Sequence, residues 1–357
     1  MSHPRLLVSH RPFVATATLA MLMTLLALVG PAAFIRAAEA ARADGAGGGV
    51  GDPHAYVTDI GDSTVKVVDT GDGATVATIP VGFFASDVTL TPDLTKAYVT
   101  NQGEDPGTVS VIDTFAHAVT ATITVGSSPS AVAFAPNGTR AYVANSGSNT
   151  VSVINTATTA VIATVPVGSD PAELAVTTDG AKVIVTNRGS NTVSVINTAS
   201  NAVTATLAVG AQPQGVAVSP NGAHTYVTNR GANTVSVLST GRSPGVIATI
   251  AVGAGPNGVA FTPDSPAAYV INGDDSTVSV INTATRTVTT TVSTGGGGPT
   301  AVTIVGTNAY VSHFSGTLSV IDTVTYIATT IEVVGEIFSG TLTGVAVNPS
   351  PGPATTH

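Results

Sequence analysis

Arg188 and Arg230 are the residues whose type and spacing first suggest chemistry. Each follows a Val-Thr-Asn or Thr-Asn step, they stand 42 residues apart, and they belong to only 12 basic residues in a chain of 357. Two guanidiniums held side by side would clamp a carboxylate or phosphate through paired N–H donors. The competing reading is a solvated loop arginine, or one paired with the nearby acids Asp170 or Glu173. His313 stands where five related segments carry Asn, which makes its imidazole a candidate ligand-binding group or else a structural or solvated histidine. No second His shares its level to complete a metal pair. The candidate ligand-binding set is therefore Arg188, Arg230, His313, Asp170 and Glu173, with no catalytic residue, metal ligand or cofactor assigned.

Other acids and aromatics carry weaker signals. Asp274-Asp275 and Glu104-Asp105 offer oxygens to calcium or are solvated turn acids, and Asp69-Thr70-Gly71-Asp72-Gly73 lacks the ligand spacing and distal Glu of a calcium loop. Phe83, Phe84, Phe314 and Phe338 form either a ligand wall or a plug over the joint between the chain ends. Cysteine is absent, which excludes disulfides, thiolate metal sites, a cysteine nucleophile and a lipidated N-terminal cysteine. No GxSxG, HExxH, Walker A loop or dinucleotide GxGxxG stands in a credible context. With 21 acids against 12 bases and a formal charge of −9, the chain gives no reason to expect nucleic acid as a partner.

The elements that must position these groups follow from self-similarity. Tyr-Val-Thr-Asn-like segments recur at Ala55–Asp59, Ala97–Asn101, Ala141–Asn145, Val183–Asn187, Thr225–Asn229, Ala268–Asn272 and Ala309–His313, at intervals of 41 to 44 residues. Within each copy, four runs of Val, Ile, Thr and aromatic residues are separated by Pro, Gly and Asn, which predicts four strands. The alternation Val151-Ser152-Val153 recurs in most copies and has the period of a strand. Ser there is small and uncharged, which suits a sheet packed on both faces, and Lys66 breaks the pattern in the first copy. The recurrent Asx-Thr after this run, as at Asn155 and Asn197, fits turn closure by the side chain.

Four-stranded units of this length predict an all-β fold, a seven-bladed β-propeller of four-stranded antiparallel blades over residues 51–350. The first copy lacks a first strand, while the chain ends with an orphan Gly344-Val345-Ala346-Val347 run. Pairing the two closes the ring, with the C-terminal strand completing the first blade and leaving no unpaired inner edge.

These repeats resemble the YVTN-family β-propeller proteins, an extracytoplasmic group similar in shape to surface-layer propellers. The resemblance covers all seven copies and implies a disc-shaped propeller outside the cytoplasm. It also implies that the loops after YVTN and before GVAV share one face, so that Arg188 and Arg230 lie at the same channel mouth. The metal-binding and aromatic motifs of propellers that hydrolyse lactones or antibiotic esters are not found.

Residues 1–43 read as an export signal: Arg5 and Arg11 precede an uncharged run from Phe13 to Val29, and small-residue cleavage patterns end at Ala43. A retained membrane anchor is the alternative. Cleavage leaves 8 bases against 20 acids. Residues 44–50 form a Gly-rich linker and 351–357 a disordered tail. The expectation is a secreted, periplasmic or cell-surface monomer acting as a non-enzymatic binding or scaffold protein. Its partner would be a small anionic molecule, a glycan or a surface protein, with no membrane span in the mature domain. The alternative is a propeller hydrolase or lyase with its active site at one end of the central channel.

Overall fold

Each repeat supplies short β-branched runs that cannot bury two apolar faces alone, and in the computed structural model every run is a strand stacked between neighbouring sheets. The structure describes residues 54–332 and 342–347, apart from positions 60, 70–74, 242, 296, 306 and 314–316. The export segment, the linker, the tail, Phe314 and Phe338 lie outside the described residues.

The strands form seven antiparallel four-stranded sheets. In blade 3 the innermost strand is Pro129–Phe134, the second Arg140–Asn145, the third Thr150–Asn155 and the outermost Ala160–Pro166. The innermost strands of blades 2, 4, 5, 6 and 7 are Ala85–Leu90, Pro171–Val176, Pro213–Val218, Pro256–Phe261 and Pro299–Val305. Neighbouring innermost strands touch one another from blade 1 through blade 7. Blade 1 is built from both ends of the chain: Leu342–Val347 pairs with His54–Asp59, with Val345 opposite Val57 and Gly344 opposite Thr58. The closure expected from the orphan run is thus present.

The core lies between blades. Tyr98, Val109 and Val111 of blade 2 pack against Val132, Phe134 and Val143 of blade 3, and the Tyr98 and Phe134 rings meet edge-on at 5.0 Å. Equivalent clusters join blades 1 and 2, 3 and 4, 4 and 5, 5 and 6, and 6 and 7. Apolar burial therefore couples each blade to its neighbours.

A buried polar latch explains why the repeat reads Asn and then Thr-Val-Ser. The Asn ending the second strand donates both amide hydrogens to the third strand. Asn187 reaches Thr192 Oγ1 at 3.0 Å and Ser194 Oγ at 3.0 Å, and Asn101, Asn145, Asn229 and Asn272 do the same to their own Thr and Ser. The recurring Ser is thus a hydrogen-bond acceptor as well as a small residue. The Gly before each innermost strand is required by the same amide. A Cβ on Gly168 would stand 2.6 Å from Asn187 Cγ, and one on Gly126 2.7 Å from Asn145 Cγ. In blade 1 the two positions hold Asp59 and Lys66 instead.

Two outcomes test this architecture. Asn187→Ala removes the amide donor from the buried Ser194 hydroxyl and should cost about 1–3 kcal/mol; a thermal midpoint unchanged from wild type would refute the latch. Deleting residues 342–357 exposes the inner edge of His54–Asp59, and thermal unfolding should begin earlier and lose its single cooperative transition.

Candidate functional site

The loops that leave the second strands meet the loops that enter the innermost strands at one end of the ring. Arg188 N–H donates to the Asp170 carbonyl at 2.9 Å and Arg230 N–H to the Gln212 carbonyl at 3.0 Å. The same pairing joins Gln102 to Phe84, Ser146 to Ser128 and Gly273 to Gly255. The residue entering each innermost strand is left-handed, as at Phe84 (φ 54°), Ser128 (φ 50°), Asp170 (φ 53°) and Gln212 (φ 51°). An Asn of the preceding blade holds several of these amides: Asn149 Oδ1 accepts from Asp170 N–H and Asn191 Oδ1 from Gln212 N–H, both at 2.8 Å. A ring of strained, pinned residues thus frames the mouth.

At this mouth the two arginines are already committed. Arg188 forms a bidentate pair with Asp170, Nε to Oδ2 at 2.7 Å and Nη2 to Oδ1 at 3.0 Å. Arg230 pairs with Asp274 at 2.8 Å and also donates to the Asn257 side chain. They share an end of the ring, but each guanidinium is matched to a carboxylate rather than joined to the other as an anion clamp. Asp105 accepts from Ser127 Oγ at 2.6 Å, and Asp275 accepts from Ala254 N–H. Among the described residues no three His, Asp or Glu side chains gather as a metal site.

His313 has a different place from the one its chemistry suggested. It occupies the latch position of blade 7, fully buried, with Nε2 2.8 Å from Ser319 Oγ, while Ser319 donates to the Thr294 carbonyl. With its hydroxyl hydrogen spent on that carbonyl, Ser319 accepts from the imidazole, so His313 carries its proton on Nε2. Burial drives its pKa down to about 4, so the ring is neutral near pH 7 and does the work of an asparagine.

Glu173 also departs from its expected place. It does not meet Arg188; it lies on the innermost strand of blade 4, 3% exposed, with Oε2 accepting from Val216 N–H of blade 5 at 3.2 Å. The same register position in blade 2 holds Asp87, also 3% exposed, whose Oδ2 accepts from Val132 N–H of blade 3 at 3.0 Å. An innermost strand has one sheet neighbour, so alternate amides face the channel axis without a ladder partner. Each carboxyl takes one such amide of the next blade, which places both acids at the inner wall.

The remaining innermost strands carry Ala131, Gly215, Gly258, Ala301 and Gly344 at this register. Five small residues and two acids share one level of the channel. Asp87 is the functional candidate missed in the sequence, and alignment of the seven innermost runs at this position is the signal that isolates it with Glu173.

Both carboxyls resist ionisation. Burial pushes Asp87 up to about 7, against the opposing pull of the Val132 and Val88 amides, and its Oδ1 is buried without a hydrogen-bond partner. Burial raises Glu173 well above the ordinary carboxyl range, and the Asp87 charge raises it further, so the two groups sense each other past blade 3. Carboxyls held protonated above their ordinary range are groups that general acid–base chemistry uses.

The chain is similar to known propellers. The family model described as Lactonase, 7-bladed beta-propeller matches residues 85–251, from the first residue of blade 2 to the last of blade 5, a span that includes both channel acids. No curated protein sequence matches the chain. Among solved structures, Kuenenia stuttgartiensis hydrazine synthase superposes with a TM-score of 0.67 at 20% identity, over 80% of this chain and 99% of that one. A functionally unknown protein from Desulfotomaculum acetoxidans gives 0.69 at 18% identity, over 84% and 99%. The Pseudomonas aeruginosa periplasmic gluconolactonase gives 0.67 at 17% identity, again over 84% and 99%. These likenesses show the propeller fold. The lactonase model corrects the expectation of a non-enzymatic binding or scaffold protein and favours the hydrolase alternative.

The Asp87 environment has a measurable consequence for stability. Because the folded state holds the proton up to about pH 7 while an unfolded aspartate releases it near pH 4, folding stability falls as pH rises between those values and levels off above them. The full effect is on the order of a few kcal/mol. Asp87→Asn keeps the acceptor for Val132 and removes the titration, so denaturant unfolding at pH 5 and pH 8 should differ less in this variant than in wild type.

Proposed function

We propose that this chain is an extracytoplasmic lactone hydrolase whose reacting groups are Asp87 and Glu173 on the channel wall. The observation that carries the reading is the placement of these two raised carboxyls at one level of a channel otherwise lined there by Gly and Ala. The lactonase family model across blades 2 to 5 supports it. In this reading the Asp87 carboxylate takes a proton from water as it attacks the lactone carbonyl. Glu173, still protonated, gives its proton to the ring oxygen as the C–O bond breaks, and the product is a hydroxy acid. The export-like segment of residues 1–43, together with the periplasmic origin of one structural relative, supports a site of action outside the cytoplasm.

Hydrolysis of simple and sugar lactones, followed by acid release in a weakly buffered indicator assay, tests the assignment. Asp87→Asn and Glu173→Gln should each lower kcat about a hundredfold or more while the protein stays folded. Wild-type activity should rise as pH passes about 7, where Asp87 ionises. Hydrolysis undiminished in both variants would refute the roles of the two acids.

A further inference from the structure

Blade 2 differs from blades 3 to 7 at the mouth. Where blade 3 carries Ser127-Ser128, blade 4 Ser169-Asp170 and blade 5 Ala211-Gln212, it carries Phe83-Phe84, and these rings are 65% and 57% exposed. Phe84 adopts φ 54°, a left-handed conformation costly for a bulky residue, yet leaves its ring in solvent. The pair sits over Gly103, where any Cβ would come within 2.5 Å of Phe84 Cδ2 and 2.7 Å of Phe83 Cβ. The site beneath the rings is thus cleared for them. Phe84 precedes Asp87 by three residues on the same strand entry, about 10 Å along the chain.

The charge around this step points the same way. Among the described residues the mouth loops carry carboxylates at positions 62, 104, 105, 170, 274 and 275, against Arg188 and Arg230, both already ion-paired. An excess of negative charge without an uncommitted guanidinium repels a phosphorylated or carboxylated substrate.

We infer that the substrate is an uncharged lactone bearing an alkyl substituent, with the ring at Asp87 and the substituent laid on Phe83 and Phe84. This rests on the lactone-hydrolase reading for its chemistry, but the apolar step and the negative mouth are independent observations. The two phenylalanines are then specificity-determining residues, and only a substituent long enough to reach the mouth benefits from them.

The test compares wild type with Phe83→Ser/Phe84→Ser, whose serines stand at the same positions in blade 3 with the same backbone conformation. The substrates are γ-butyrolactone, γ-dodecalactone and a phosphorylated sugar lactone, and calorimetric binding of γ-dodecalactone to the Asp87→Asn protein, with and without the serine pair, is measured in parallel. Wild type should favour γ-dodecalactone over γ-butyrolactone by about tenfold or more in kcat/KM. The serine variant should lose that preference through KM with γ-butyrolactone unchanged, and the phosphorylated lactone should be the poorest substrate. Hydrolysis that is indifferent to the alkyl chain, or best with the phosphorylated lactone, overturns the inference and leaves the acid pair standing. Binding of γ-dodecalactone that vanishes in the serine variant, without turnover of any lactone in wild type, overturns the acid pair and leaves the alkyl seat standing. Neither turnover nor binding overturns both.

Discussion

The buried Asn that ends the second strand of blades 2 to 6 is the interaction on which the rest depends. Its amide joins the second strand to the third and sits against the Gly that leads into the innermost strand of the same blade. A buried amide left without acceptors costs more than the bond itself contributes, so the Thr and Ser opposite it are as constrained as the Asn. The latch locks the mouth end of blades 2 to 6, with His313 in its place in blade 7, and sets where the entering loop turns down into the channel. Asp170, Phe84 and the channel acids are placed by that turn.

Apolar packing between blades supplies the bulk of the stabilisation, but it is interchangeable from joint to joint: Val, Ile and Ala recur on both faces of every sheet. The polar contacts give each joint its register. Thr186 Oγ1 donates to the Gln214 carbonyl of the next blade at 2.9 Å, and Thr228 Oγ1 to the Asn257 carbonyl at the same distance. Against this regular frame, Asp87 and Glu173 are costly departures. Each is almost wholly buried, each has an amide of the adjoining blade for support, and among the described residues no cation pairs with either. Strain and raised pKa values held at one place by a rigid surround are what a reacting site requires.

The features that drew notice in the sequence have turned out to serve different ends. His313 is conspicuous because it stands where five other copies carry Asn, yet in the fold it replaces that amide in the latch and is kept neutral by burial. Arg188 and Arg230 are conspicuous in an acidic protein, yet each neutralises an acid of the same mouth. Glu173 was legible as a candidate, but its partner was misjudged, since two strand positions close in sequence to Asp170 lead away from the surface and into the channel.

The sequence by itself determined the seven blades, the four strands of each and the closure by the C-terminal run, while the sharing of one face by the two mouth loops was implied by the family resemblance. The blades, strands and closure follow from a repeat whose period, turn residues and strand alternation are local properties of the chain. Only the tertiary structure decided where the polar residues stand. Asp87 and Glu173 are 86 residues apart in the sequence, and an acid in a strand carries no local mark of whether it meets solvent, a cation or a channel wall. Their coupling arises because the ring brings the same register of blades 2 and 4 to one level around a common axis, where burial raises both pKa values and the Asp87 charge raises that of Glu173 further.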